Sequence, residues 1–256
     1  MKVIILAGGF GTRLAEETTI KPKPMVEIGG KPILWHILKH YAHYGHHEFV
    51  IALGYKGDVI KDYFLNYYTL HSDLTVNLGN GDVTVRHQER ENWVVHLIDT
   101  GYDALTGARI KRVRDVVGNE PFMLTYGDGV SDVDLNAVIA YHRQQGKIAT
   151  MTAVRPPARF GHLDIDQGSV VFNEKPQSRE GWINGGFMVF EPQFFDMLPD
   201  GDDISMEHVM MRTLSPQKQI SAYQHEGYWQ SMDTLRDKQT LETQWQSGNP
   251  PWKIWS

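Results

Sequence analysis

The sequence predicts an α/β protein built on a mixed, mostly parallel sheet that is flanked by helices. Short apolar runs alternate with longer segments of helical periodicity, which is the pattern of βαβ units. In the middle of the chain, extended segments separated by turns rich in glycine, asparagine and aspartate indicate antiparallel hairpins. The chain has 256 residues and is 41% hydrophobic, so it can bury a sizeable core without disulfides or metal staples.

Each predicted element follows from its own stretch of sequence. The apolar runs predict strands at residues 3–7, 48–53, 94–98, 122–126, 148–154 and 186–190. Helical periodicity predicts helices at residues 32–44, 58–68, 106–117, 134–145, 205–214 and 234–246. Residues 74–78 and 83–87 bracket a glycine-rich turn, with 94–98 as a third extended segment, and residues 163–165 and 169–172 form a second predicted hairpin.

The first strand runs directly into a glycine-rich loop with cations on its far side. Residues 8–13 read Gly-Gly-Phe-Gly-Thr-Arg, and Lys21 and Lys23 follow, each in front of a proline. Glycines allow backbone N–H groups to approach an anion closely. Arg13, Lys21 and Lys23 supply mobile positive charge for a polyphosphate. The segment therefore predicts a site for a nucleoside triphosphate, whereas a tight turn without a ligand is the alternative.

This loop differs from two better-known glycine loops. A Walker A loop ends in Gly-Lys-Ser or Gly-Lys-Thr, but here Gly11 is followed by Thr12 and Arg13. The dinucleotide fingerprint requires a third glycine, and Leu14 occupies its place. The sequence therefore argues against a P-loop NTPase and against an NAD(P)-dependent oxidoreductase.

Composition narrows the class of protein further. There are no cysteines, which excludes thiol chemistry and fits a reducing compartment. No apolar run approaches the roughly 20 residues of a membrane span, and the N-terminal run is too short for a signal peptide, so we expect a cytoplasmic protein with no membrane partner. The formal net charge of −6 argues against nucleic acid as a partner.

Two aspartates are candidate metal ligands. Asp128 lies between two glycines directly after a predicted strand, where ligands of open α/β sheets bind. Asp233 precedes the last predicted helix, where it could also serve as an N-cap. Two carboxylates from distant parts of the chain can hold one Mg²⁺, with phosphate oxygens and water completing the octahedron. A turn aspartate and a helix cap are the alternatives.

Histidines offer a weaker metal pattern. His36, His40 and His43 recur at helical spacing in the helix predicted at 32–44. Neither a cysteine nor an HExxH pattern accompanies them, so a polar helix face is favoured over zinc.

Several segments together resemble the sugar-1-phosphate nucleotidyltransferases, which join a nucleoside triphosphate to a sugar phosphate and release pyrophosphate. They are LAGGFGTRL at 6–14, KPKPMVEIGGKPIL at 21–34, TYGDGVSD at 125–132, NEKP at 173–176, INGGFMVF at 183–190 and WQSMDTLRDK at 229–238. The resemblance spans nearly the whole chain. It implies one domain, 1–256, with a Rossmann-like nucleotide-binding half mainly at 1–130. A β-rich extension that binds the sugar phosphate would lie mainly at 131–256.

The resemblance also implies roles for individual residues. It places Arg13, Lys23 and Asp128 in catalysis and assigns Mg²⁺ to Asp128 and Asp233. The residues it brings to the nucleotide are Leu6, Ala7, Gly8, Gly9, Gly11, Thr12, Thr100, Gly107 and Arg109, with Arg112 or Arg114 as alternatives to Arg109. The residues it brings to the sugar phosphate are Glu174, Lys175, Asn184 and Gly185.

Within that family, YGDG, SMDTLRDK and the PPWK ending are similar to members that use CTP and glucose 1-phosphate and make CDP-glucose. The expected substrates are therefore CTP and glucose 1-phosphate, with UTP or dTTP as the nearest alternatives. A catalytically silent regulatory subunit is an alternative of another class. The resemblance further implies a homo-oligomer and a place in lipopolysaccharide O-antigen biosynthesis.

Overall fold

The fold is organised by a central sheet, seen in a computed structural model that describes residues 1–70, 72–86, 90–156, 162–166, 169–173 and 181–255. The strands are β1 Val3–Leu6, β2 Glu27–Ile28, β3 Lys31–Pro32, β4 Glu48–Leu53, β5 Asp73–Val76, β6 Val83–Arg86, β7 Val94–Asp99, β8 Phe122–Tyr126, β9 Gly129–Ser131, β10 Ala149–Val154, β11 His162–Asp166, β12 Ser169–Asn173, β13 Ile183–Asn184, β14 Met188–Phe190, β15 Ile220–His225 and β16 Trp229–Ser231. The α-helices are α1 Ala15–Thr18, α2 Ile33–His43, α3 Gly57–Leu65, α4 Tyr67–Leu70, α5 Thr106–Arg112, α6 Arg114–Val117, α7 Leu135–Gln145, α8 Phe194–Met197, α9 Met206–Val209 and α10 Leu235–Gln246. Short 3₁₀ turns cover Thr12–Leu14 and Lys23–Met25, and a π-helical turn covers Met210–Leu214.

In the described part of the chain, eight strands form the central sheet, and their pairing is mixed. Parallel pairs join β7 to β4, β4 to β1 and β1 to β8. Antiparallel pairs then join β8 to β14, and both β14 and β13 to β10, while β15 runs parallel to β10. This confirms the predicted mixed, mostly parallel sheet.

The innermost strands are apolar along their whole length because helices cover both faces of the sheet. Every residue of β1, with the sequence VIIL, is buried, and so are the last five residues of β4. One core packs β1 and β4 against α2 and the C-terminal Trp252, and the other packs β8 and β14 against α5 and α8. The two cores hold the carboxyl ends of β1 and β8 at one edge of the sheet, side by side.

The hairpin predictions are confirmed in part. Strands β5 and β6 form a separate antiparallel pair, and so do β11 and β12. The third extended segment, which was also predicted as the strand at 94–98, is β7 and lies parallel to β4 in the main sheet. Residues of β7 are partly exposed because only one side of this strand has a partner in that sheet.

One strand pair was not predicted and has consequences for the site. Strand β16 lies antiparallel to β9, with Ser231 opposite Gly129. The backbone N–H of Met232 donates to the carbonyl of Asp128 at 2.8 Å. The pair therefore brings the residue before β9 and the residues after β16 to the same place.

Some helix predictions need correction. The helix predicted at 106–117 is divided into α5 and α6 at Val113, and the one predicted at 205–214 changes from α to π geometry after Val209. Thr234, rather than Asp233, is the N-cap of α10, because its hydroxyl accepts from the backbone of Asp237 in a capping box.

Two of the three histidines on α2 are buried, so the prediction of a polar face is wrong for them, whereas His43 is exposed. His36 is 1% exposed and His40 is 2% exposed. The ring of His36 packs edge-on against Trp245 and Trp252, which the C-terminal segment brings over the helix. Burial lowers the pKa of His36 to about 4 and that of His40 to about 3, so both are neutral at pH 7. Across the described ranges, no helix has the length and apolarity to cross a bilayer.

Candidate active site

A cavity of about 340 Å³ opens at the carboxyl ends of β1 and β8. Ligands of open α/β sheets bind at this edge. Predicted site residues on its wall are Leu6, Ala7, Gly8, Gly9, Gly11, Thr12, Arg13, Lys23, Arg109, Asp128 and Asp233. The other residues on its wall are Phe10, Pro24, Asp103, Ala104, Leu105, Thr106, Tyr126 and Gly127.

The glycine loop forms one side of the cavity. Gly11 has φ +64°, a left-handed conformation that favours glycine, and it begins the 3₁₀ turn Thr12–Leu14. The hydroxyl of Thr18 donates to the carbonyls of Gly11 and Leu14 and so fixes the end of the turn. Leu14, which replaces the third fingerprint glycine, is fully buried in the core below. The loop is therefore a rigid turn with its glycine backbone at the cavity wall.

Three predicted charges meet at the floor of the cavity. The ammonium nitrogen of Lys23 lies 2.5 Å from Oδ2 of Asp128 and 2.7 Å from Oδ1 of Asp233. A guanidinium nitrogen of Arg13 lies 3.0 Å from the same oxygen of Asp233. Only 11% of the Lys23 side chain is exposed, against 69% of the Arg13 side chain. Lys23 is thus a fixed charge at the centre, and Arg13 is a mobile one at the rim.

These contacts keep the central groups charged. Burial acts to lower the pKa of Lys23, but the charge of Asp128 and the hydrogen bonds to both aspartates outweigh it, so the pKa is raised. Burial acts to raise the pKa of Asp233, but the hydrogen bond and charge of Lys23, together with Arg13, lower it. The centre is therefore an ionised network at neutral pH.

The same geometry fits a divalent cation. Oxygens of Asp128 and Asp233 both lie within 2.7 Å of one atom, the Lys23 ammonium nitrogen, so the two carboxylates converge on a position that a cation fills. Hard cations such as Mg²⁺ take oxygen ligands of this kind. Within the described ranges, no group of three or more acidic or histidine side chains could form a metal cage. A metal here would need further oxygens from a substrate or from water.

Arg109 is buried in the cavity wall, and its guanidinium group is committed to the protein. Its acceptors are five oxygens from three loops: the carbonyls of Gly8, Leu53, Gly101 and Tyr102 and the hydroxyl of Thr100. A Cβ atom at Gly8 would lie 2.2 Å from this guanidinium, so Gly8 makes room for Arg109. Arg109 ties the loops after β1, β4 and β7 together and so supports this wall of the cavity.

Two further predicted nucleotide residues lie behind the wall. Thr100 is fully buried, and its hydroxyl donates to the carbonyl of Leu53 at 2.6 Å. Gly107 packs against Ile204, which leaves no space for a Cβ atom. The alternatives to Arg109 lie elsewhere, since Arg112 pairs with Asp202 and Arg114 with Asp196.

On the sugar side, Glu174 and Lys175 lie outside the described residues. Asn184, in β13, donates to the hydroxyl of Tyr126 at 3.0 Å, and Tyr126 lines the cavity. Gly185 packs against Val154, and its carbonyl accepts from the indole N–H of Trp229 at 2.8 Å. Asn184 and Gly185 therefore stand one layer behind the cavity wall.

Sequence reasoning missed two polar residues of this region. Tyr126 stands inside a segment that was already singled out, beside Gly127, so its position was the available signal. Glu207, which accepts from the hydroxyls of Tyr126 and Thr106, follows a methionine on a predicted helix and carried no such signal.

The site combines a glycine loop, a buried lysine between two carboxylates and a cavity at the carboxyl edge of a mixed sheet. The family model described as Nucleotidyl transferase matches residues 2–239, and the chain belongs to this family. It is therefore a nucleotidyltransferase.

Individual relatives narrow the comparison. The chain is 52% identical over 257 residues to a glucose-1-phosphate cytidylyltransferase of Salmonella typhi, with 100% of both chains covered. It is 26% identical to a mannose-1-phosphate guanyltransferase of Saccharomyces cerevisiae over 93% of this chain and 62% of that one. The crystal structure of HddC from Yersinia pseudotuberculosis complexed with GMP-PN is 24% identical, has a TM-score of 0.69 and covers 95% of this chain and 99% of that chain. At that identity, the structural likeness shows the shared fold.

Proposed function

We propose that the protein transfers the cytidylyl group of CTP to α-D-glucose 1-phosphate, giving CDP-glucose and pyrophosphate. The observation that carries this proposal is the 52% identity to the Salmonella typhi relative over both full lengths. The ionised cluster of Arg13, Lys23, Asp128 and Asp233 supports an active enzyme over a silent regulatory subunit, because a binding module has no need of it.

The proposed step is an in-line displacement at the α-phosphorus of CTP. An oxygen of the sugar phosphate forms the new P–O bond, and the bond to pyrophosphate breaks. The attacking oxygen is already ionised at neutral pH, so no general base is required. Catalysis then consists of positioning two polyanions and reducing their repulsion. Two like charges at 4 Å repel by about 1 kcal/mol in water and by several times that in a less polar cleft.

The chain's own cations suit this task. Lys23 is held at the floor, where it can bridge the α-phosphate and the incoming phosphate. Arg13 is at the rim, in the glycine loop, where it can stabilise the departing pyrophosphate. Asp128 and Asp233 would hold Mg²⁺, which supplies positive charge to the phosphate oxygens when bound. Glu174 and Lys175 are proposed for the sugar phosphate on the family resemblance alone.

The nucleotide side is assigned to the loop at 6–12 and to the wall that Arg109 supports. Thr100 and Gly107 keep a place in this proposal as residues that shape that wall from behind. Asn184 and Gly185 are assigned to the sugar side in the same way. The proposal follows the expected division of one domain, with a nucleotide half mainly at 1–130 and a sugar half mainly at 131–256.

The proposal includes a cytoplasmic homo-oligomer without a nucleic acid or membrane partner, in lipopolysaccharide O-antigen biosynthesis. Absence of cysteine supports the cytoplasmic location, and the net charge of −6 supports the absence of a nucleic acid partner. Exposed apolar side chains on α3, the β5–β6 hairpin and β7 support a second copy as the partner, with Leu65 81%, Leu78 93% and Val94 56% exposed.

Pyrophosphate release tests the substrates. With glucose 1-phosphate and Mg²⁺, we expect CTP to be turned over at least about tenfold better than UTP, dTTP, ATP or GTP, because a site that hydrogen-bonds one exocyclic group can reject another strongly. Equal rates with UTP would contradict the cytidylyl assignment and leave the reaction class intact. Pyrophosphate release with none of the triphosphates would favour the silent subunit.

A further inference from the structure

Resting on the proposed function, we infer that Glu207 is a positioning residue that sets the hydrogen-bonding pattern which Tyr126, held from behind by Asn184, presents to the sugar phosphate. Glu207 stands at the surface, just before the π-helical turn, and is not on the cavity wall. It acts through the two hydroxyl side chains that are on that wall, Tyr126 and Thr106.

The carboxylate of Glu207 bridges two elements that are distant in sequence. Its Oε1 accepts from the hydroxyl of Tyr126, at the end of β8, at 2.8 Å. Its Oε2 accepts from the hydroxyl of Thr106, at the start of α5, at 2.8 Å, and from that of Ser205 at the same distance. Glu207 therefore connects two parts of the cavity wall. One is the end of β8, which precedes the proposed metal ligand Asp128, and the other is the start of α5, which is assigned to the nucleotide.

The charge of Glu207 decides the direction of each hydrogen bond. An ionised carboxylate accepts only, so the hydroxyl proton of Tyr126 must point to Glu207 and away from the cavity. The side-chain amide of Asn184 must then donate to the oxygen of Tyr126, at 3.0 Å. The amide orientation agrees, because the backbone N–H of Gly186 donates to Oδ1 of Asn184 at 3.0 Å. One carboxylate thus fixes a tyrosine rotor and an amide in series.

The donors and acceptors that remain for a ligand are those that Tyr126 and Asn184 do not use within the protein. Among bonds between described residues, Tyr126 keeps one oxygen lone pair and Asn184 keeps one N–H. Because Tyr126 is the one of the two that lines the cavity, a sugar hydroxyl can donate to its free lone pair. If Glu207 lost its charge, the Tyr126 proton could turn into the cavity, and the same hydroxyl would meet a donor where it now meets an acceptor.

The electrostatics of Glu207 support its ionised state. Burial acts to raise its pKa, but hydrogen bonds from its own backbone N–H and from Ser205, Thr106 and Tyr126 lower the pKa below the usual range for glutamate. The donor and acceptor pattern is accordingly stable across the neutral pH range.

The thermodynamic test is a double-mutant cycle of Glu207→Gln and Tyr126→Phe, with Michaelis constants measured separately for glucose 1-phosphate and CTP. Glutamine keeps the shape of Glu207 and removes its charge. Each single variant should raise the Michaelis constant for glucose 1-phosphate about tenfold, the change expected for one charge-assisted hydrogen bond. The double variant should be no worse than the poorer single variant, because both act through one contact. The turnover number at saturating substrates should change less than about threefold.

The matched control is Asp196→Asn, which breaks the exposed pair between Asp196 and Arg114 and touches neither cavity wall. It should leave both Michaelis constants unchanged. Additive effects of Glu207→Gln and Tyr126→Phe would overturn the inference, and so would a lower melting temperature with an unchanged Michaelis constant for glucose 1-phosphate. A wild-type protein that uses another sugar phosphate would refute the proposed substrate alone, and the same cycle would then be measured on that substrate.

Discussion

Replacing Lys23 with methionine should make the isolated protein bind a divalent cation more tightly while it destroys activity. The Lys23 ammonium lies 2.5 Å from Asp128 and 2.7 Å from Asp233, so without nucleotide it occupies the position on which both carboxylates converge. A metal that takes these oxygens must displace it. Methionine keeps a long unbranched side chain and removes the competing charge.

The contact energies set the size of this effect. A hydrogen bond to a charged group contributes about 1.5–3 kcal/mol. If the metal breaks only one of the two bonds of Lys23, its affinity in the wild type is reduced by roughly one to two decades. We therefore expect Lys23→Met to bind Mn²⁺ at least about tenfold more tightly than the wild type when no nucleotide is present. Turnover should fall by about two decades or more, because a cation is lost from the phosphate site.

Calorimetric titration of Mn²⁺, without and with CTP, measures the affinity for the metal and its coupling to the nucleotide. In the wild type, CTP gives Lys23 another anionic partner, so CTP and Mn²⁺ should bind with positive coupling, which thermodynamics makes reciprocal. Lys23→Met should lose most of that coupling. Lys21→Met is the control, since Lys21 pairs with Glu27 at 2.8 Å and contacts neither aspartate. An unchanged or weaker Mn²⁺ affinity in Lys23→Met would refute competition between lysine and metal.

Two further predictions concern Asp233 and His36. Asp233→Asn should lower pyrophosphate release by about two decades with little change in melting temperature, whereas Thr234→Ala, which removes the cap of α10, should cost about 1 kcal/mol of unfolding free energy and leave turnover within a few-fold; the reverse pattern would make Asp233 a structural residue. His36 has a pKa of about 4 in the fold and about 6.5 in the unfolded chain, so the unfolded chain binds the proton first, and the stability present above pH 6.5 is lost as the pH falls toward 4. Urea unfolding at pH 7.5 and 5 should show a loss that is about 2 kcal/mol smaller in His36→Gln than in the wild type, and equal losses would contradict a buried neutral His36.

Local sequence was sufficient to predict an element wherever the residues of that segment alone determine its structure. Strand β1 is an unbroken apolar run because both of its faces are covered, and Gly11 follows it where a left-handed turn is needed. Local sequence left a cap at Asp233 as an alternative because Asp and Thr are both good caps, and the capping box with Asp237 shows that Thr234 is the cap.

Tertiary contacts decided what the sequence did not predict. Strands β9 and β16 have three residues each and pair with each other although they are far apart in sequence. Such short segments show no hydrophobic periodicity from which a strand could be predicted. His36 and His40 have the spacing of a polar helix face, but Trp245 and Trp252 pack against His36, and Phe187 packs against His40. Arg109 has the residue type of a phosphate ligand, yet it binds five oxygens of the protein. In each case the deciding partner lies far away in sequence.

The charge balance of the centre gives a physical reason to expect metal dependence. Lys23 and Arg13 carry two positive charges, and Asp128 and Asp233 carry two negative ones, so the four side chains present no net charge to a triphosphate. A divalent cation at the two carboxylates would make the site positive and free Lys23 to face a phosphate. Without a metal, these four side chains therefore give little net electrostatic attraction for the polyanion. The metal and the triphosphate should each improve the binding of the other.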